Sequence, residues 1–109
     1  MPPQRGEIWW VELDPIVGSE IAKTRPCVVM TRNVVNQLRR TVVVVPLSSS
    51  PSAHPPIRVA IKSSGPNSVA AIDQVRAIAK ERLRQRIGTV SSADLVAMSK
   101  ALREILDLG

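Results

Sequence analysis

Tyrosine and phenylalanine are absent from this chain of 109 residues, and cysteine and histidine occur once each, as Cys27 and His54. A single cysteine can form neither an intrachain disulfide nor a Cys-based zinc site, which makes a reducing cytoplasm the expected compartment. A single histidine leaves no His-His acid/base pair and no His-rich metal site within one chain, and it argues against a Ser-His-Asp triad. With Trp9 and Trp10 as the only aromatics, a base-stacking platform built from several surface rings is excluded. No run of about 18 apolar residues is present to span a bilayer, and the opening Met1-Pro2-Pro3-Gln4-Arg5-Gly6 has no apolar stretch of the kind a secretory signal needs. One domain over residues 1–109 is expected, since a chain of this length supports a single core.

What the chain has in quantity is positive charge. Fifteen Lys and Arg stand against nine Asp and Glu, a formal net charge of +6. Residues 91–109 carry Lys100 and Arg103 against Asp94, Glu104 and Asp107, a local balance of −1, so residues 1–90 hold +7. A polyanionic or acidic partner is implied, and it would be drawn to the part of the chain before residue 91.

The hydropathy pattern is mostly that of strands. Residues 7–13 alternate, placing Trp9, Val11 and Leu13 on one face and Ile8, Trp10 and Glu12 on the other. Residues 16–25 read as a long loop, and Pro26 opens a short buried strand over residues 27–30. Asn33 is expected to cap a helical turn through Arg40 whose Val34, Val35 and Leu38 touch the core. Five β-branched residues, Thr41 and Val42 to Val45, predict a central strand buried on both faces, with Pro46 and the run Ser48-Ser49-Ser50 ending it. Residues 57–61 and 68–72 read as further strands, and alternation resumes over residues 73–78. Beyond Arg76 and Lys80, the cations Arg82, Arg84 and Arg86 recur with period two and would share a strand face. From Ser91 the period changes. Ser91 and Asp94 approximate a capping box, and Leu95, Met98, Leu102, Ile105 and Leu106 follow at spacings of three and four, predicting a terminal amphipathic helix. The expected fold is mainly β (α+β): a small, strongly curved antiparallel sheet or partial barrel with the helix packed across it.

Neither a phosphate-binding glycine loop nor a metal-ligand cluster nor a nucleophile elbow is encoded. Chemistry must therefore come from Arg, Lys, Ser, Thr, Asp and Glu. Three polar clusters qualify, each with a plain structural alternative. Gly18-Ser19-Glu20 through Lys23-Thr24-Arg25-Pro26 is either a functional loop or a solvated hairpin. Ser48-Ser49-Ser50 is either a source of hydroxyls or a set of turn formers. Asp73-Gln74-Val75-Arg76 is either a site or an ordinary ion pair. His54, in a proline-rich loop, reads as solvent-exposed, and Cys27 as a small buried hydrophobe.

Taken in order, Arg5-Gly6-Glu7-Ile8-Trp9-Trp10, Asp14-Pro15 with Gly18-Ser19-Glu20, Thr24-Arg25-Pro26-Cys27-Val28-Val29, Val43-Val44-Val45-Pro46-Leu47-Ser48-Ser49 and Asp73-Gln74-Val75-Arg76 resemble the MazF/PemK family of bacterial toxins. The resemblance spans about Arg5 to Leu106. It implies an SH3-like barrel and a homodimer that builds a basic RNA-binding groove. It further implies ribosome-independent endoribonuclease activity on single-stranded mRNA without a metal or cofactor, and a cognate MazE-like antitoxin with an acidic disordered tail. Arg25 matches the family's phosphate-gripping arginine. Ser48 stands where family members commonly carry Thr, keeping the hydroxyl but losing the methyl that fixes its rotamer. Glu20 and Asp73 each match a carboxylate implicated in some members, so the general base is open between them. Ala71 stands where the PemK branch has an arginine, which leaves Arg25 to stabilise charge or donate the proton. RNA contacts are expected from Ser19, Lys23, Thr24, Ser49, Ser50, Gln74, Arg76, Arg82, Arg84 and Arg86. Two other classes stay open: a CcdB-like toxin that shares the fold but poisons DNA gyrase without catalysis, and an inactive nucleic-acid-binding module.

Overall fold

The computed structural model describes residues 2–13, 18, 23–49 and 52–109. Seven strands form one antiparallel sheet: β1 (Glu7–Glu12), β2 (Thr24–Val29), β3 (Thr41–Ser48), β4 (Arg58–Ala60), β5 (Val69–Ala71), β6 (Arg76–Ala79) and β7 (Leu83–Thr89). They run in the order β4-β5-β3-β2-β1-β7, with β6 also paired to β3. Register shifts in the β1–β7 ladder, between Ile8 and Trp9 and between Trp10 and Val11, mark the irregularities that bend a sheet. The sheet is open and strongly curved, as the strand pattern predicts.

The two faces bury different cores. On one face Ile8, Val28, Val45, Leu47, Ile61 and Ile72 pack with Met98 and Ala101 of helix α2 (Ser92–Ile105). On the other, Val11, Leu13, Cys27, Val29, Val42, Val44 and Ile78 form a second cluster, with Trp9 and Leu83 against it. This is why the valine strand carries no polar alternation: Val42 and Val44 serve the second core and Val45 the first. Each fully buried side chain of this kind contributes roughly 1.5–3 kcal/mol.

Pro46 does not end β3, contrary to expectation. On one side β3 pairs β6 through Val44↔Arg76 and then β5 from Leu47↔Ala70, so Pro46 sits in the gap between the two ladders. On its other side it is the last residue in register with β2, opposite Cys27. A residue with no N–H to donate is tolerated where the partner strand changes.

Helix α1 (Asn33–Leu38) also departs from its predicted orientation. Val34 and Leu38 are 51% and 76% exposed, whereas Asn36 is fully buried. Nor does Asn33 cap the helix: Arg32 occupies that position, and Asn33 Oδ1 accepts the Arg5 amide at 2.6 Å. Asn36 Nδ2 donates to the Thr31 carbonyl at 2.8 Å, and Thr31 Oγ1 accepts from the Val43 amide. A helix of six residues is too short to be held by its own periodicity, so these polar anchors decide which face turns inward.

The terminal helix follows its sequence closely. Ser91 is the N-cap and accepts the Asp94 amide at 3.1 Å. The box is completed from outside the helix. The Asp94 carboxylate accepts from the Ser63 hydroxyl and, at 2.9 Å, from the Ser63 amide, while Ser63 Oγ accepts the Ser91 amide at 3.0 Å. The 3₁₀ turn Lys62–Ser64 is thereby clipped to the start of α2. Leu106, expected on the apolar stripe, is half exposed at the C-cap.

Candidate functional site

The site is set by the ends of β2 and β3. Their register runs Val29↔Val44, Val28↔Val45, Cys27↔Pro46. The ladder ends at Cys27↔Pro46, and Arg25 on β2 and Ser48 on β3 each lie two residues beyond that last pair, at the same end of the two strands. Alternation along β3 puts Ser48 on the face that Val42 and Val44 share, away from that of Val45 and Leu47. Arg76, opposite Val44, belongs to the same face. By strand alternation these residues, taken from separate stretches of sequence, share one face of the curved sheet.

Their environments differ. Arg25 and Thr24 are exposed, and Ser48 is half-buried. The Ser48 hydroxyl makes no hydrogen bond among the described residues. Asp73 lies exposed in the 3₁₀ turn Ile72–Gln74 that joins β5 to β6. The simple alternative for this cluster, an Asp73–Arg76 ion pair, is not formed: Arg76 Nη1 instead donates to the Leu13 carbonyl at 3.5 Å. Arg76 still acts electrostatically inside the second core, where burial pushes the Cys27 thiol up to about 12 and the nearby guanidinium pulls it back in part. Cys27 is fully buried and protonated, the small hydrophobe its sequence context suggests. His54 is exposed, in an isolated bridge with Arg58.

Among the predicted RNA contacts, Lys23, Thr24, Ser49, Gln74 and Arg76 lie on the segments that flank the strand ends. Lys23 takes a positive φ of 66° just before β2. The predicted cation track needs correction. Arg82 belongs to the 3₁₀ turn Lys80–Arg82 rather than to a strand, and its Nη1 donates to the Glu12 carbonyl at 3.1 Å. Arg84 and Arg86 are on β7, but each is already paired across to β1: Arg84 with Glu12, and Arg86 with Glu7 at 2.8 Å. Extended periodicity predicted one face; it could not reveal that the neighbouring strand presents glutamates to it. Ser19, Glu20 and Ser50 lie outside the described residues.

A groove of about 400 Å³ adjoins the Ser48–Ser49 end of β3. Trp10, Pro26 and Leu47 line it from the sheet, and residues 64–68 from the β4–β5 connection. Trp10 pairs with Pro26 across β1 and β2 and is 38% exposed, whereas Trp9 is packed against the second core. Sequence reasoning marked 65–67 only as a turn. The available signal was that Trp10 shares its strand face with Glu12 while Trp9 shares its own with Val11 and Leu13.

Among the described residues no three His, Cys, Asp or Glu side chains gather where they could hold a metal ion. No helix of the described residues is long and apolar enough to cross a membrane.

Comparison with known proteins gives this geometry a family. The chain is 38% identical over 114 residues to Endoribonuclease MazF9 of Mycobacterium tuberculosis, covering 96% of this chain and 97% of that protein. MazF from Deinococcus radiodurans superposes with a TM-score of 0.84 at 19% identity, covering 98% of each chain. A mycobacterial endoribonuclease solved with its cognate antitoxin superposes with a TM-score of 0.80 at 23% identity, covering 98% of this chain and 97% of that one. Residues 4–106 match the family model of the PemK-like, MazF-like toxins, and the chain belongs to the PemK-like, MazF-like toxins of type II toxin–antitoxin systems.

Proposed function

We propose that this chain is a ribosome-independent endoribonuclease that cuts single-stranded mRNA at a short sequence by metal-independent attack of the 2′-hydroxyl. The observation that carries the reading is the antiparallel β2–β3 ladder, beyond whose last pair, Cys27↔Pro46, Arg25 and Ser48 each lie two residues on, at the same end of the two strands. Its support comes from a relative of 38% identity named as an endoribonuclease. In the reaction the 2′-oxygen forms a bond to the adjacent phosphorus, its proton passes to a carboxylate, the bond from phosphorus to the 5′-oxygen breaks, and that oxygen takes up a proton. The products are a 2′,3′-cyclic phosphate and a 5′-hydroxyl.

Each step has a candidate group. The planar guanidinium of Arg25 grips two phosphate oxygens and stabilises the charge of the phosphorane, and it is the group placed to return a proton to the leaving oxygen. The Ser48 hydroxyl supplies a second hydrogen bond and orients the phosphate. Asp73 or Glu20 takes the proton of the 2′-hydroxyl. Lys23, Thr24, Ser19, Ser49, Ser50, Gln74 and Arg76 hold the flanking nucleotides. Arg82, Arg84 and Arg86 contribute less, because each already has a partner on β1.

Two copies form the working unit in this reading, and the exposed apolar side chains of Val34, Val35 and Leu38 on α1 offer a face for such contact. The positive charge before residue 91 suits an acidic, disordered antitoxin tail that competes with RNA. The cytoplasm, where mRNA and a free thiol coexist, is the fitting compartment. A gyrase-poisoning role is disfavoured, since it needs neither the arginine nor the hydroxyl.

The test is incubation of the purified protein with a long RNA in excess EDTA, with both ends of each fragment mapped. Discrete cuts bearing 5′-hydroxyl and 2′,3′-cyclic phosphate ends are expected. Intact RNA under these conditions overturns the reading.

A further inference from the structure

The groove beside Ser48 has a composition that phosphate chemistry does not need. Its sheet side is Trp10 with Pro26 and Leu47, continued by Ser48 and Ser49 at the end of β3, and its opposite side is the polar turn carrying Asn67. We infer that this groove is a nucleobase site, in which an unpaired base of the RNA lies on Trp10 while the Asn67 side-chain amide reads its edge. The inference rests on the endoribonuclease reading and adds to it a residue that selects sequence.

Three observations converge. The first is exposure: of the only two aromatic side chains, Trp9 is given to the second core and Trp10 is left 38% exposed on the groove. Base–aromatic stacking is the use to which a lone exposed ring on a basic RNA-binding protein is suited. The second is size. A volume of about 400 Å³ lies at the lower end of the roughly 300–1,000 Å³ of ligand clefts, fitting one flat heterocycle rather than a folded nucleotide segment.

The third is chemistry at the rim. Asn67 is exposed on a turn following Gly65, whose φ of 126° is accessible to few other residues. Its amide places a donor beside an acceptor and makes no side-chain hydrogen bond to the described residues. Bases in single-stranded RNA are read through such paired groups on their Watson–Crick and Hoogsteen edges. The placement is consistent with cleavage as well. Ser48 and Ser49 line the same groove as Trp10, Pro26 and Leu47, so a phosphate held at Ser48 leaves a neighbouring base within reach of the Trp10 side.

The experiment compares cut-site profiles on a randomised RNA pool for the wild type, Asn67→Ala, Asn67→Asp, Trp10→Ala and Trp10→Phe. Asn67→Ala is expected to flatten the preference at one position next to the cut while leaving the others sharp. Asn67→Asp, which offers acceptors only, is expected to shift that position toward guanine, whose Watson–Crick edge presents two adjacent donors. Trp10→Ala is expected to raise KM roughly ten- to hundred-fold with a smaller change in kcat, and Trp10→Phe to restore most of it. A second readout needs no cleavage. With Trp10 as the single tryptophan in a Trp9→Phe background, a non-cleavable 2′-deoxy oligonucleotide of the preferred sequence should quench its fluorescence. Unchanged profiles in both Asn67 variants, or no quenching, overturn the base site and leave the ribonuclease reading standing. A wild-type protein that cuts nothing overturns the ribonuclease reading and the base site with it.

Discussion

The molecule holds two serine–aspartate arrangements of opposite character. At the start of α2, Ser63 and Asp94 are fully engaged: the hydroxyl donates to the carboxylate and accepts the Ser91 amide, and the carboxylate also takes the Ser63 amide. At the end of β3 and in the turn before β6, the side chains of Ser48 and Asp73 make no hydrogen bonds among the described residues, and the ion pair open to Asp73 through Arg76 is not formed. The same side chains serve stability where their bonds are used internally and remain available to a ligand where they are not. Leaving hydrogen-bonding capacity unspent is costly only in the interior, and both Ser48 and Asp73 retain access to water.

The strongest way to break that contrast is at Arg25, which belongs with Ser48. Arg25→Ala is expected to lower single-turnover RNA cleavage by at least about 10²–10³, the scale of removing one transition-state charge stabiliser. Because the side chain is exposed, the thermal midpoint should scarcely move. Cleavage within a few-fold of wild type would remove Arg25 from the site.

The two serines form the next comparison. Ser48→Ala is expected to cost activity and no stability, with Ser48→Thr restoring it, since threonine keeps the hydroxyl and adds the methyl that limits its rotamers. Ser63→Ala is expected to cost about 1–2 kcal/mol of unfolding free energy, because it leaves a helix cap and a carboxylate short of partners, while kcat at a temperature where the protein is folded stays at the wild-type value. Urea denaturation beside cleavage kinetics checks both. A Ser48→Ala protein that is destabilised and active, or a Ser63→Ala protein that is stable and inactive, reverses the assignment.

How far these roles were legible beforehand differs along the same line. Most strands, the terminal helix and its Ser91 cap follow from periodicity and local chemistry, and so does the burial of Cys27; but Thr24 and Arg25, expected in a loop, belong to β2, and Ile72–Gln74, expected in extended segments, forms a 3₁₀ turn. What could not be read is whatever depends on a neighbour distant in sequence. The glutamates opposite Arg84 and Arg86, the anchoring of Asn36 under α1, and the persistence of β3 through Pro46 are all set by pairing between strands. The groove at Trp10 joins residues more than fifty positions apart, and nothing in either segment announces the other. Arg25 and Ser48 are singled out only through a family resemblance, and what brings them to the same end of β2 and β3 is strand pairing. Glu20 lies outside the described residues, so the choice of general base stays with kinetics.

A smaller effect is expected from pH, and it separates the two aspartates. Burial works against the charge on Asp94, but the hydrogen bonds from Ser63 and Ser91 and the nearby Lys62 outweigh it and hold the carboxyl below its ordinary value of 3.8. A folded-state value depressed in this way gives stability that is present above the unfolded value and is lost as pH falls through the folded one. Wild type should therefore exceed Asp94→Asn in stability near neutral pH, and the gap should narrow below about pH 4. The carboxylate is largely accessible to solvent, so the gap should be modest and should shrink in high salt. A gap that is independent of pH would mean that the carboxylate's charge contributes nothing to the clip.

The smallest effect should come from the β7 cations, and it tests whether a charge already paired is still available to RNA. A protein side chain that neutralises one phosphate of a single strand contributes about −0.7 to the slope of log K against log salt. Arg86→Ala removes a cation but also leaves Glu7 without its partner at 2.8 Å, so a loss of affinity alone would not distinguish a phosphate contact from the new negative charge. The slope does distinguish them. With Arg86 held by Glu7, Arg86→Ala should leave the slope within about 0.2 of wild type for a non-cleavable oligonucleotide, whereas Arg76→Ala, removing a cation with no carboxylate partner among the described residues, should reduce it by nearly one full contact. If Arg86→Ala lowers the slope as much as Arg76→Ala does, Arg86 exchanges Glu7 for phosphate on binding, and the basic surface used by RNA extends across β7.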